Sequence, residues 1–221
     1  MRNISLLSLG FCAAAQAGTL LGPSPYLQAS DSPFAALTFD TFSLENFEDG
    51  AFNVANASIS GGTATPAGGA FTDSVDGDDG LIDGSGVNGR SWYSNNSIST
   101  IEIAFTPLLG QYPTHAGVVW TDVGNVLSGS TGFGDVIFEA FAPGGGSLGS
   151  TLLAGAGDGV ATGDAAEDRF FGAINIAGIE RIVLSMPNSV DWELDHVQFG
   201  IVPEPASLTL LALLATAARR R

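Results

Sequence analysis

Hydrophobic and polar positions alternate in short runs along most of this chain, and Gly, Ser, Asp and Asn clusters separate the runs. The alternation is cleanest at Ile101-Glu102-Ile103-Ala104-Phe105, where the odd positions share one face. The pattern predicts strands over 37–44, 54–60, 98–105, 116–121, 135–141, 147–153, 169–174, 179–185 and 190–199. Residues 136–141 are apolar on most of both faces, as a central strand is. No long stretch of the middle carries a helical period. The chain therefore predicts an all-β fold, a single antiparallel β-sandwich of jelly-roll type over 37–200. Pro23, Pro25 and Pro33 make 18–36 an extended leader.

One strand breaks its own rhythm. Val190, Trp192 and Leu194 are apolar at even positions, and Val197 and Phe199 at odd ones. Such a slip predicts a bulge at Asp195-His196, a device that re-aims side chains.

Charge narrows the partners. All seven basic residues are arginine, and residues 18–202 hold only Arg90, Arg169 and Arg181 against 22 acids. That surface repels phosphate backbones, which excludes nucleic acid, and it attracts divalent cations. The one cysteine, Cys12, lies in the N-terminal apolar run, so disulfides, thiol catalysis and Cys-ligated zinc drop out of the remainder.

The two ends read as addresses. Arg2 precedes an apolar run that closes on Ala15-Gln16-Ala17, a small-residue pattern predicting a secretory signal over 1–17, cut between Ala17 and Gly18. Residues 201–221 carry Pro203-Glu204-Pro205, then a Leu/Ala run, then Arg219, Arg220 and Arg221. The prolines keep the first part extended, the run is a strong helix former, and the arginines act as a cytoplasmic stop. Residues 206–218 as a helix span about 20 Å, short for a full hydrocarbon core unless the arginines snorkel and the bilayer thins.

This tail resembles the PEP-CTERM sorting signal of Gram-negative bacteria, with all three parts in order. The resemblance implies a transmembrane helix as a temporary inner-membrane anchor and processing near the motif by exosortase. It also implies release to the cell surface or extracellular matrix, often with exopolysaccharide. Pro203, Glu204 and Pro205 match the recognition motif and Arg219–Arg221 the stop. It implies sorting only, not the activity of the middle.

Two acid groups stand out within the sandwich. The opening segment 42–50 and the closing segment 190–200 are similar to the first and last strands of carbohydrate-binding jelly rolls. That similarity implies a structural Ca²⁺ held by Glu45 or Glu48 with Asp195, against the alternative of ordinary acids on edge strands. Asp76, Asp78, Asp79 and Asp83, with glycines between them, resemble the front half of a calcium loop. Gly80 and Val87 stand where an EF-hand needs oxygen ligands, so a β-loop site or a plain hydrophilic loop is left. Trp92-Tyr93, just after this loop, is the best candidate for stacking on a sugar, while Trp120 and Trp192 are assigned to the core.

Catalysis finds little support. Gly145-Gly146-Ser147-Leu148-Gly149 fits G-x-S-x-G, but Pro143 and the glycines before Ser147 predict a hairpin turn in place of a strand-to-helix elbow. His115 and His196 are too few for a zinc site. The sequence thus predicts a non-enzymatic surface or matrix protein that binds calcium and polysaccharide. The alternatives are a secreted hydrolase acting on exopolysaccharide and a self-associating matrix subunit.

Overall fold

Alternating apolar positions can be buried only if two sheets face each other, and that is the arrangement found. The computed structural model describes residues 18–66, 72–77, 89–126, 134–157 and 166–203. Among them are twelve strands: β1 (Thr19–Pro25), β2 (Thr41–Glu45), β3 (Ala57–Ser60), β4 (Thr63–Ala64), β5 (Trp92–Tyr93), β6 (Thr100–Phe105), β7 (His115–Val126), β8 (Gly134–Phe141), β9 (Ser147–Ala156), β10 (Arg169–Ile174), β11 (Arg181–Ser185) and β12 (Ser189–Ile201). The first sheet runs β1-β10-β7-β12-β5-β4, with β2 also paired to β12. The second runs β3-β6-β11-β8-β9. Every pairing is antiparallel.

The core lies between the sheets. Ile101, Ile103 and Phe105 of β6, with Phe138 of β8 and Leu184 of β11, meet Trp120, Phe171, Trp192 and Leu194 from the first sheet. Both tryptophans assigned to the core are fully buried. The nine strands predicted from the pattern all have a counterpart, with shifted ends except at β10. The segment 37–44 becomes a strand only from Thr41, and 54–60 only from Ala57, because Asn56 takes a positive φ of 63°. Strands β4 and β5, two residues each, are too short to show a period.

The largest difference concerns the leader. Thr19–Pro25 is a strand hydrogen-bonded along β10, so residues 18–36 belong to the sandwich. Tyr26 and Phe34 then cross the outer face of the first sheet, where they form a second apolar cluster with Val75, Val119 and Phe170. β12 is consequently covered on both faces, and it is buried almost end to end.

Candidate functional site

The phase slip in the last strand is a bulge. Asp195 lies opposite Val119 and Gln198 opposite Gly117, three steps on β12 against two on β7, and His196 takes a positive φ of 42°. The extra residue lets Leu194 and Val197 both face the core. Asp195 and His196 meanwhile turn to the outer layer, where Tyr26 and residues 74–76 receive them.

Under that layer lies a chain of polar groups, buried from Ser32 to His196 and surfacing at Asp76. Ser32 Oγ donates to Gln198 Oε1 at 2.6 Å, and Gln198 Nε2 donates to the Tyr26 hydroxyl at 2.8 Å. The Tyr26 oxygen lies 3.0 Å from His196 Nδ1, and His196 Nε2 lies 3.2 Å from Asp76 Oδ1. Asn46 Nδ2 donates to the other Asp76 oxygen at 2.5 Å. Since Nε2 faces a carboxylate, it carries hydrogen, and in the neutral ring Nδ1 accepts the Tyr26 proton.

Two further acids sit beside this chain. Asp195, fully buried, accepts from Ser74 Oγ and the Val75 and His196 N–H groups. Glu193 Oε2 accepts from the Asp73 N–H at 2.9 Å and from the Ser91 hydroxyl.

Burial disfavours charge on both acids. It pushes Glu193 up to about 8 and Asp195 up to about 7, against hydrogen bonds that pull the other way. His196 has burial working to lower it, but Asp76, Asp195 and Glu48 together hold it above its ordinary value. The His196 hydrogen bond in turn draws Asp76 below the usual carboxylate range. Each partner thus favours the charged form of the other in the His196–Asp76 pair, with the imidazole buried and the carboxylate exposed. Burial pushes the Tyr26 hydroxyl upward, so it stays protonated and serves as a fixed link.

The sequence-predicted site residues divide among several places. Glu48, Asp76 and Asp195 are brought together: the one Ser74 hydroxyl lies within hydrogen-bond reach of both Asp195, at 3.2 Å, and Glu48, at 3.4 Å, and His196 bridges to Asp76. Glu45 serves its own loop, accepting from the Phe47 and Asn53 N–H groups at 2.9 and 3.0 Å. Asp78, Asp79 and Asp83 lie outside the described residues, as do Ala15, Ala17, Glu204, Pro205 and Arg219–Arg221. Gly18 directly precedes β1, and Pro203 follows β12 by two positions.

Asp76 and Asp195 serve N–H and O–H donors with all four of their oxygens. That donor set fits a hydrogen-bonded network better than a calcium shell. Among the described residues, no three His, Cys, Asp or Glu side chains are grouped to hold a metal ion.

Trp92 and Tyr93 are both half-buried. The Trp92 ring packs on Phe47 and Phe52 and its N–H donates to the Gly61 carbonyl at 2.6 Å, while Tyr93 donates to Asp191 at 2.9 Å. One side of Trp92 borders an open cleft of about 420 Å³ with Gly50, Phe52, Ser58 and Thr63.

Ser147 opens β9 directly after a glycine turn closed by Ala142 N–H on the Gly146 carbonyl, a hairpin as predicted. His115 is bonded to Thr114 and edged by Phe34 and Phe39, the surroundings of a rim histidine.

Tyr26, Ser91, Glu193 and Gln198 were invisible as site residues from sequence. A signal existed in the outer phase of β12, where Glu193, Asp195 and Gln198 look like an exposed polar face. The leader covers Gln198, and the segments around Asp73–Val75 and Ser91 cover Glu193 and Asp195.

No helix among the described residues is long and apolar enough to cross a membrane. No protein-family model, curated protein or solved structure matches this chain.

Proposed function

We propose that this chain is an exported cell-surface or extracellular-matrix protein of a Gram-negative bacterium. On this reading it is held briefly in the inner membrane by its C-terminal run and processed by exosortase. The single observation that carries the proposal is the sequence that follows the sandwich. β12 ends at Ile201, and Pro203-Glu204-Pro205, the Leu/Ala run and the three arginines begin at once. A sorting tail needs that arrangement, since a protease must reach extended chain outside the sheets.

The sandwich itself acts by binding in this proposal, not by catalysis. Glu193 and Asp195 are committed to internal donors, and Ser147 opens β9 after a glycine turn. The cleft beside Trp92 is the candidate polysaccharide site, because an indole edge flanked by Ser58 and Thr63 offers an apolar wall with hydroxyl partners. The jelly-roll comparison is supported by the pairing of the opening and closing segments, Glu45 opposite Val197. The calcium ligands of this reading are those the sequence offers, Asp76, Asp78, Asp79 and Asp83, and Glu45 or Glu48 with Asp195.

Expression of the full chain in a host with and without exosortase tests the sorting claim. The expected result is a shorter, surface-released form only where the enzyme is present, and identical processing in both hosts would overturn it. Calorimetry with Ca²⁺ and a panel of neutral and acidic glycans tests the binding claim.

A further inference from the structure

The two ends of the sandwich differ in chemistry. At one end Thr19 faces Ile174, Ile174 faces His115 and His115 faces Gly200, with Thr41 opposite Ile201. The loops 106–114 and 175–180 join this end of the first sheet to the matching end of the second, where Ala104, Arg181 and Phe141 align. The chain also leaves here: Val202 N–H donates to Thr114 Oγ1 at 3.0 Å, and Pro203 follows.

This end carries few charges, the exposed Asp40 beside Ile201 and Arg181 paired with Glu102 among them. Loops 106–114 and 142–146 contain no Asp, Glu, Arg or His, and 175–180 contains only Glu180, which accepts from the Gly144 and Gly145 N–H groups. It is also apolar. Leu109 is 95% exposed at the tip of its loop, Ile176 is 48% exposed on the next one, and Phe42 is 47% exposed beside the exit strand. Leu37 and Leu44 join Phe42 in an open groove of about 330 Å³ on the adjoining face. Of the six large hydrophobic side chains exposed among the described residues, Leu109, Ile176 and Phe42 lie at this end, Leu37 and Leu44 on the adjoining face, and Leu152 elsewhere. Asp73, Asp76, Glu193 and Asp195 lie farther along the sheet, away from this end.

We propose that the end of the sandwich carrying Leu109, Ile176 and Phe42 rests on a lipid bilayer. The proposal rests on the anchoring reading above and gives the anchored domain an orientation. Where the chain continues decides the occupant. The apolar run that the sequence places from Ser207 onward starts four residues beyond Pro203, so an inserted run brings this end within reach of the headgroups. Charge agrees, because headgroup phosphates repel an acidic surface and accept an uncharged one. Leucine and phenylalanine side chains set in uncharged turns enter the boundary between headgroups and acyl chains.

The test uses the full chain with Cys12→Ser, labelled with a fluorophore at one introduced cysteine: Gln111→Cys at the apolar end, Ser97→Cys at the other, or Ala212→Cys in the run. The chain is reconstituted in vesicles of equal parts phosphatidylethanolamine and dibrominated phosphatidylcholine. Labels at 212 and 111 are expected to lose most of their emission to bromine quenching, and the label at 97 to keep it. Adding Leu109→Asp and Ile176→Asp should restore emission at 111 and leave 212 quenched. Quenching at 212 with none at 111, or equal quenching at 111 and 97, overturns the proposal and leaves anchoring intact. An unquenched 212 removes the anchoring reading and the proposal with it. A concentration-dependent blue shift at 111 without vesicles assigns the surface to a second copy instead, which also overturns it.

Discussion

Glu193 makes the stability of this fold depend on pH in a direction opposite to that of most carboxylates. Its side chain is 3% exposed, and burial raises its pKa from an ordinary 4.5 to about 8. Below about pH 4.5 the group is protonated in both the folded and the unfolded chain and contributes nothing to the slope. Between 4.5 and 8 the unfolded chain has lost that proton while the native protein keeps it, so each rising unit costs about 1.4 kcal/mol of stability. Across the window the loss is about 5 kcal/mol, and above it both states are ionised and the loss is complete. In a domain of this size that corresponds to a fall in Tm of about 10–20 °C. Glu193→Gln keeps an acceptor for the Asp73 N–H and the Ser91 hydroxyl and removes the titration. Thermal or urea unfolding of both proteins across this range should give similar stabilities at the acid end and a variant clearly more stable at the alkaline end. Asp195, also raised by burial, tilts both curves the same way, so the informative quantity is the difference between them. If that difference stays constant with pH, Glu193 is ionised in the native protein and the reasoning fails.

Three other outcomes follow from the packing. Tyr26→Phe removes the hydroxyl that joins Gln198 to His196, and urea titration should show a loss of about 1–3 kcal/mol. Phe34→Ala empties a buried site between Phe170 and His115 and should cost about 3–5 kcal/mol by the same measurement, whereas a leader merely lying against the surface would show almost none. Gly117→Ala would set a Cβ 2.4 Å from Phe170 Cζ and 2.8 Å from the Phe171 carbonyl, so calorimetry should find the variant less stable by about 1–3 kcal/mol.

Much of the architecture is legible from periodicity alone, and the exceptions have physical causes. The run 169–174 gives β10 with both boundaries, because Asp168 and Asn175 flank a block of apolar and small residues. The slip between Leu194 and Val197 gives the bulge, since any strand that buries both must insert a residue. The leader escapes because Pro23 and Pro25 advertise chain that cannot pair, although β1 is an edge strand and edge strands tolerate proline. Tyr26 and Phe34 then hide the outer face of β12, and no local pattern says that a polar face is covered by chain some 160 residues earlier in sequence. For the same reason Asp195 was readable as a special position while Glu193, one alternation before it, was not.

The buried polar layer also explains how this last strand finds one register. β12 carries apolar side chains on its inner phase and is enclosed on both faces, so hydrophobic burial alone distinguishes neighbouring registers weakly. The polar groups remove that ambiguity. A slip by one residue would swing Glu193 and Asp195 toward Trp120 and Phe171 and strip them of the Asp73, Ser74, Val75 and Ser91 donors. Leaving even one such carboxyl buried without partners costs several kcal/mol, more than a single misplaced apolar contact recovers. The same bonds reach across sequence, tying Ser32 and Tyr26 of the leader and Asn46 and Asp76 of the loops to Gln198 and His196. With Cys12 as its only cysteine, the chain cannot fasten those segments by an internal disulfide, and the hydrogen-bonded layer does so instead. Where the fastening is made of titrating carboxyls it holds best while they keep their protons, which is why the segments carrying Asp73–Val75 and Ser91, bonded to Glu193 and Asp195, should loosen from β12 first as the medium turns alkaline.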